Sequence, residues 1–179
     1  MAMSNPALRP ESTTDDARKP AGARSAVEMI AYARRLLEAN INPRTGLATD
    51  YLNHFNEAIM LLEMIPDLPQ SVDDFLDWRP LSYREHFAAS SFSARELAIS
   101  AYDSSDPAVR AEFDNITTTM TSILTTVGTA MGQAKHPETR VVLAEQAAGW
   151  VKPLVTLAGS IINGGNNASD TDLDLIMNQ

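Results

Sequence analysis

TGLATDYLNHFNEAIMLLEMIPDLP, residues 45–69, is the stretch on which the fold turns. Tyr51, Phe55, Ala58 and Leu62 recur in steps of four and three, so they share one face of a helix over roughly residues 49–65. The second half, AIMLLEMI, is apolar nearly all round, which predicts burial on more than one side. Met60 and Met64 read there as core filler, as do Met120 and Met131 farther along. PDLPQ then breaks the helix. The same stretch carries the chain's one close cluster of potential ligands: Asp50, His54 and Glu57 at i, i+4 and i+7, with Asn53 beside them.

Composition sets the frame for this helix. The chain has 179 residues, enough for one domain with a substantial core. It is 44% hydrophobic but only 6% aromatic, with little clustering of Val and Ile, which favours helices over a sheet. Its 14 basic and 23 acidic side chains leave a net charge of -9. Such a surface repels phosphate backbones and anionic lipid, so neither nucleic acid nor a membrane is an expected partner. No cysteine is present, which excludes disulfides, thiolate catalysis and cysteine-based zinc sites. No stretch approaches the ~18–20 apolar residues of a membrane span, and the N-terminus lacks the apolar core of a secretory signal. A cytoplasmic location is the expectation.

Upstream of the opening stretch, residues 1–24 hold three prolines and almost no large apolar groups, and read as a disordered arm. Ser25 and Glu28 form a capping box for a first helix over 25–40, with Val27, Ile30, Ala33 and Leu37 as its apolar stripe. Asn40 and Pro43 end it, and NPRTG makes the turn into the second helix. Downstream, three short helices each carry a start signal: Ser71 with Asp74, Ser82 with Glu85, and Ser93 with Glu96. Trp78, Tyr83, Phe87, Phe92 and Tyr102 concentrate aromatic mass here, and the region is expected to fold back over the second helix.

From Asp106 the rhythm changes. Asp106 is a good N-cap and Pro107 suits the first helical position. Val109, Phe113, Ile116, Met120, Ile123, Val127, Ala130 and Ala134 then mark a seam over more than three heptads. Lys135-His136-Pro137 is a tight corner. Leu143, Ala147, Trp150, Leu154, Leu157 and Ile161 carry the same rhythm along a second long helix. Pro153 lies inside it, where a kink rather than a break is expected. The two seams make an antiparallel αα-hairpin over 106–163. Core packing within one bundle and homodimerisation through the hairpin are both open to it. INGGNN terminates the second helix and begins a flexible tail, 164–179.

The chemistry-bearing groups are few. His54 with Asp50 and Glu57, joined by His86 from the fourth helix, offers a candidate divalent-metal or small-ligand set. The alternative is that Asp50 helps cap the helix and His54 and Glu57 share a rim hydrogen bond. No nucleophile elbow, phosphate-binding glycine loop or H-E-x-x-H motif appears, so no catalytic residue is assigned and no cofactor is expected.

The tail from Ser169 to Asn178, SDTDLDLIMN, resembles the short response-regulator-docking peptide of flagellar switch proteins, patterned Ser-Gln-x-Glu-Ile-Asp-x-Leu-Leu. Ser169, Asp172, Leu173, Asp174 and the pair Ile176–Met177 match it. Asp170 stands in place of glutamine, and Leu175 occupies a usually small position. A related docking helix closes the chemotaxis phosphatase behind a long helical hairpin. The catalytic stretch of that phosphatase is missing here, so the resemblance implies docking and not phosphatase activity. GLATDYLNHFNEAIMLLEMIP and WRPLSYREHFAAS resemble small uncharacterised helical proteins of alphaproteobacteria over residues 25–113, a resemblance that brings no assigned site. The expectation is an all-α helical bundle: a helical domain over 25–163, made of a body at 25–104 and the hairpin. The expected role is that of a non-enzymatic interaction protein that docks a protein partner, such as a response regulator, through its tail.

Overall fold

A computed structural model describes residues 25–165, so the arm at 1–24 and the docking-peptide residues Ser169–Met177 lie outside it. The described chain is an all-α bundle of seven α-helices with no strand. They are α1 Ala26–Glu38, α2 Leu52–Met64, α3 Ser71–Asp77, α4 Tyr83–Ala89, α5 Arg95–Asp103, α6 Pro107–Gln133 and α7 Pro137–Ile162. A single 3₁₀ turn, Thr49–Tyr51, leads into α2. α6 and α7 form the long hairpin. α2 packs along α7, α3 packs on α2, and α3 also touches α6, so the four enclose the core.

Local signals account for several boundaries. The capping boxes at Ser25–Glu28 and Ser82–Glu85 are both complete. Asp106 accepts from the N–H groups of Ala108 and Val109, and Pro107 opens α6. Two other expected starts differ. Ser71 is the buried first residue of α3 rather than its cap, and α5 begins at Arg95 with no side-chain cap. There the Arg95 N–H is satisfied by the carbonyl of Phe92, so a backbone turn replaces the cap. The far ends follow helix-stop chemistry. Asn40 takes a left-handed φ of 54° after α1, and the Ile41 N–H reaches back to the Leu36 carbonyl. Gly164 and Gly165 end α7 in the same way, with the Gly165 N–H on the Ser160 carbonyl. α7 continues unbroken through Pro153.

The core face of α2 is the expected one: Tyr51, Phe55, Ala58 and Leu62 are buried. The expectation of burial all round its second half fails, because Met60 and Met64 are exposed and only Met120 and Met131 fill the core. α1 differs too. Val27 and Ile30 of its expected stripe are exposed, and Leu36 is its one buried residue. The body makes too little contact with α1 to cover the stripe.

On α6, Phe113, Ile116, Met120 and Val127 of the seam are buried, together with Leu124 and Met131. On α7, Ala147 and Ile161 of the expected seam are buried, together with Ala144, Ala148, Val151, Ala158 and Ile162, and Leu143 and Leu154 pack half-buried against the core. Trp150 and Leu157, both placed on the expected seam, are 55% and 47% exposed. Small side chains face inward here because two neighbours, α2 and α6, must approach α7 closely. At Gly159 a Cβ would find room, meeting Leu52 at an ordinary contact distance of 3.7 Å.

Two glycines predict opposite outcomes. Gly46 has φ +69°, and a Cβ there would lie 2.6 Å from the Ala101 carbonyl oxygen. Gly46→Ala should destabilise by more than ~2 kcal/mol, combining backbone strain with a backbone clash. Gly132 lies in exposed helix with nothing within 4 Å. Gly132→Ala should stabilise by about 0.5–1 kcal/mol. Urea unfolding of both variants, compared at equal m-value, checks the pair.

Candidate functional site

The four residues of the candidate metal set are placed apart by role. His54 is 7% exposed, at the N-terminal end of α2. Its Nε2 accepts the Leu81 N–H at 3.0 Å, and its ring stacks on Trp78 at 4.7 Å. Trp78 in turn donates its indole N–H to the His54 carbonyl at 3.2 Å. The imidazole therefore fastens α2 to the irregular segment between α3 and α4. His86 is brought beside it, with ring centroids 5.9 Å apart. Glu57 is exposed, and Asp50 accepts from Asn53 within the 3₁₀ turn rather than capping α2. Among the described residues no three His, Asp or Glu side chains gather as a group that could hold a metal ion. The expected His54–Glu57 hydrogen bond is likewise replaced by the one to Leu81, because His54 points into the protein.

Burial pushes the His54 imidazole down to about 4, with His86 adding to the effect. His86 is lowered by burial, while Asp50 draws it back up. A neutral His54 also suits its bond, since only an unprotonated Nε2 can accept from Leu81.

Next to this pair, three tyrosines line a cleft of about 410 Å³ between the 3₁₀ turn, α4, α5 and α6. The Tyr51 hydroxyl donates to the Leu81 carbonyl at 2.8 Å, and the Tyr83 hydroxyl accepts the Ala48 N–H at 2.9 Å. Both are raised well above the usual phenol range, chiefly by burial. The Tyr102 hydroxyl lies 2.8 and 2.9 Å from the two Asp114 oxygens. Burial, that hydrogen bond and the Asp114 charge push Tyr102 up to about 12, against the guanidiniums of Arg110 and Arg84. Those two cations lie 5.7 and 5.9 Å from the Tyr102 ring centre. The arrangement can bind through a carboxylate, aromatic edges and the hydroxyls of Thr117, Thr118 and Thr121. Sequence reasoning missed Asp114 and the tyrosine cluster. The available signal was Asp114 itself, the last charge before the uncharged stretch 115–134.

A second surface stands out on the hairpin. Leu143, Trp150 and Leu157 are spaced by seven, so they form one line along α7, with Leu154 beside them. Trp150 and Leu157 are exposed, and Leu143 and Leu154 are half-buried. On α6, Thr118, Thr119, Ser122, Thr125, Thr126 and Thr129 are exposed, Thr118 bordering the Asp114 cleft and Thr125 and Thr129 a cleft against Phe75, Leu76 and Arg79. Residues 115–134 hold no charged side chain, and residues 146–164 hold only Lys152, which is paired with Glu63 of α2. No helix among the described residues is long and apolar enough to cross a membrane. Comparison with family models, with curated proteins and with solved structures gives no match for this chain.

The His54 environment predicts an acid limb in stability. Below 6.5, its ordinary value, the unfolded chain takes up a proton that the folded chain refuses until about 4. Stability is therefore fully present above 6.5 and drains away as pH falls toward 4. The loss attributable to this group is at most roughly 3 kcal/mol. His54→Gln keeps an acceptor for Leu81 but does not titrate. Its melting temperature should fall less steeply than that of the wild type across this window. Parallel slopes in the two proteins would show that His54 does not supply the limb.

Proposed function

We propose that this chain is a non-enzymatic interaction protein: a helical body that presents one docking face on its hairpin and a partner-docking peptide at 168–179. The observation that carries the reading is the pair of large apolar side chains Trp150 and Leu157, left exposed on α7 in a stretch, 146–164, whose one charge is Lys152. Depletion of charge with retention of an aromatic anchor is the compositional mark of an interface core. The resemblance of Ser169, Asp172, Leu173, Asp174, Ile176 and Met177 to a response-regulator-docking peptide supports a protein partner for the tail. Physically, an acidic amphipathic segment folds into a groove with its apolar residues as anchors.

Titration calorimetry of the full chain against the response regulators of its host tests the tail. Binding to at least one, lost on deletion of 168–179, is the expected result. Heats unchanged by the deletion for every regulator would remove the docking peptide from the proposal.

A second reading, a small-ligand-binding bundle, is favoured by the cleft beside Asp114. There a carboxylate already held by Tyr102 lies on the wall of a partly enclosed space. This reading no longer needs the Asp50, His54, Glu57 and His86 set. Metal binding by those residues would require His54 to release Leu81.

A further inference from the structure

We infer that the cleft beside Asp114 takes a small organic ammonium ion, with the Asp114 carboxylate as its counter-ion and the Thr118 and Thr121 hydroxyls as its other partners. The inference rests on the small-ligand reading above and deepens it by naming the class of ligand.

Charge decides the sign of the ligand. Among the described residues Asp114 is the one charged side chain lining the cleft. It is half-buried, and no Lys, Arg or His among those residues lies within ion-pair distance of it. Arg110 stands one helical turn before Asp114, at a spacing that ordinarily pairs such residues. Its guanidinium instead donates to the carbonyls of Tyr102 and Asp103, at 3.3 and 2.9 Å. Arg84, the other cation near Tyr102, pairs with Asp103 at 2.6 Å. A carboxylate partly withdrawn from water and left without a cation gains most from a positive ligand. The net charge of -9 also draws cations toward the protein and repels anions.

Hydrogen-bond geometry decides the kind of cation. The Tyr102 hydroxyl lies 2.8 and 2.9 Å from the two Asp114 oxygens, almost equidistant from both. That is the place a guanidinium or amidinium fork would need. The one proton of Tyr102 leaves most of the acceptor capacity of the carboxylate unused. An ammonium group needs a single oxygen for each N–H and brings up to three donors. Thr118 and Thr121, four and seven residues after Asp114, share its face of α6 and line the cleft. Their hydroxyls make no hydrogen bond among the described residues, so both can accept.

Two other cations fit less well. A quaternary ammonium has no N–H and depends on open aromatic faces. Tyr102 is stacked on Tyr83 at 4.5 Å, with Arg110 and Arg84 at 5.7 and 5.9 Å from its ring centre. Tyr51 and Tyr83 are buried. A metal ion would find one carboxylate, since among the described residues no three His, Asp or Glu side chains gather as ligands. The space suits a small molecule. The cleft measures about 410 Å³, within the ~300–1,000 Å³ of small-molecule sites. Tyr51, Pro80, Leu81 and Tyr83 line it beside the polar groups and offer contact to the body of an amine.

Benzylamine is the probe that tests the inference. Benzyl alcohol, benzamidine and benzyltrimethylammonium keep its ring and carry a neutral, a forked and an N–H-free head. Binding to the full chain is read from the amide resonances of Asp114, Thr118 and Thr121 in an NMR titration. Benzylamine should bind with a millimolar or lower dissociation constant, and the other three at least ~10-fold more weakly. Asp114→Asn keeps an acceptor for Tyr102 and should weaken benzylamine by ~10-fold or more. Thr121→Val should weaken it by roughly 3-fold. Glu138→Gln, at the far end of the hairpin, should leave its affinity unchanged. Should Asp114→Asn misfold, the double variant Thr118→Val, Thr121→Val reads the loss instead. Benzyl alcohol binding as tightly as benzylamine, or benzylamine indifferent to Asp114→Asn, overturns the ammonium ion and leaves the small-ligand reading standing. Cleft resonances that no probe moves remove both.

Discussion

Close approach of helices to the small-residue face of α7 is the constraint from which the rest follows. Ala144, Ala147, Ala148 and Ala158 are all buried, and Gly159 sits under Leu52. α2 and α6 pack on α7, and among their large side chains Phe55, Leu62, Met120 and Leu124 are fully buried. Facing small against large is how close packing is reached without voids. A helix supplying Leu and Trp inward would have held its two neighbours apart.

On that platform, single polar bonds fasten the segments with no regular structure. The Thr45 hydroxyl donates to the Ile162 carbonyl at the end of α7, at 2.7 Å. Ala48 is held by Tyr83, and Leu81 is held from both sides, its N–H by His54 and its carbonyl by Tyr51. Tyr51 makes edge contacts with Phe55, Tyr83 and His86, so the fastening groups form one aromatic cluster. Buried donors and acceptors must find partners, and here titratable rings supply them. The same burial that makes His54 and the tyrosines useful as fasteners moves their proton affinities.

The platform also determines what the surface offers. Among the described residues, Trp150 and Leu157 are left exposed on α7, while the threonines of α6 border the clefts against α3 and the aromatic cluster. The cleft beside Asp114 arises differently, where α6 meets the aromatic cluster and one carboxylate is trapped by Tyr102. The buried alanines of α7, joined by Val151, Ile161 and Ile162, thus decide which of its side chains reach the surface.

The sequence by itself determined the helix content, the capping boxes at Ser25 and Ser82, the Asp106–Pro107 start, the hairpin corner and the glycine stop of α7. These depend on contacts within a few residues, which local order specifies. It also placed the core face of α2, because that face carries large side chains at helical spacing. Only the tertiary structure decided which face of α7 is inside. Periodicity weighs Trp150 and Leu157 above Ala144, Ala148 and Ala158, whereas burial here rewards the residues that let two helices come near. The same holds for Met60 and Met64, whose exposure depends on which neighbours α2 acquires. His54 is the plainest case. Spacing put it on a line with Asp50 and Glu57, but its partner is a backbone N–H twenty-seven residues away. A distance of that kind exists only once the chain has folded.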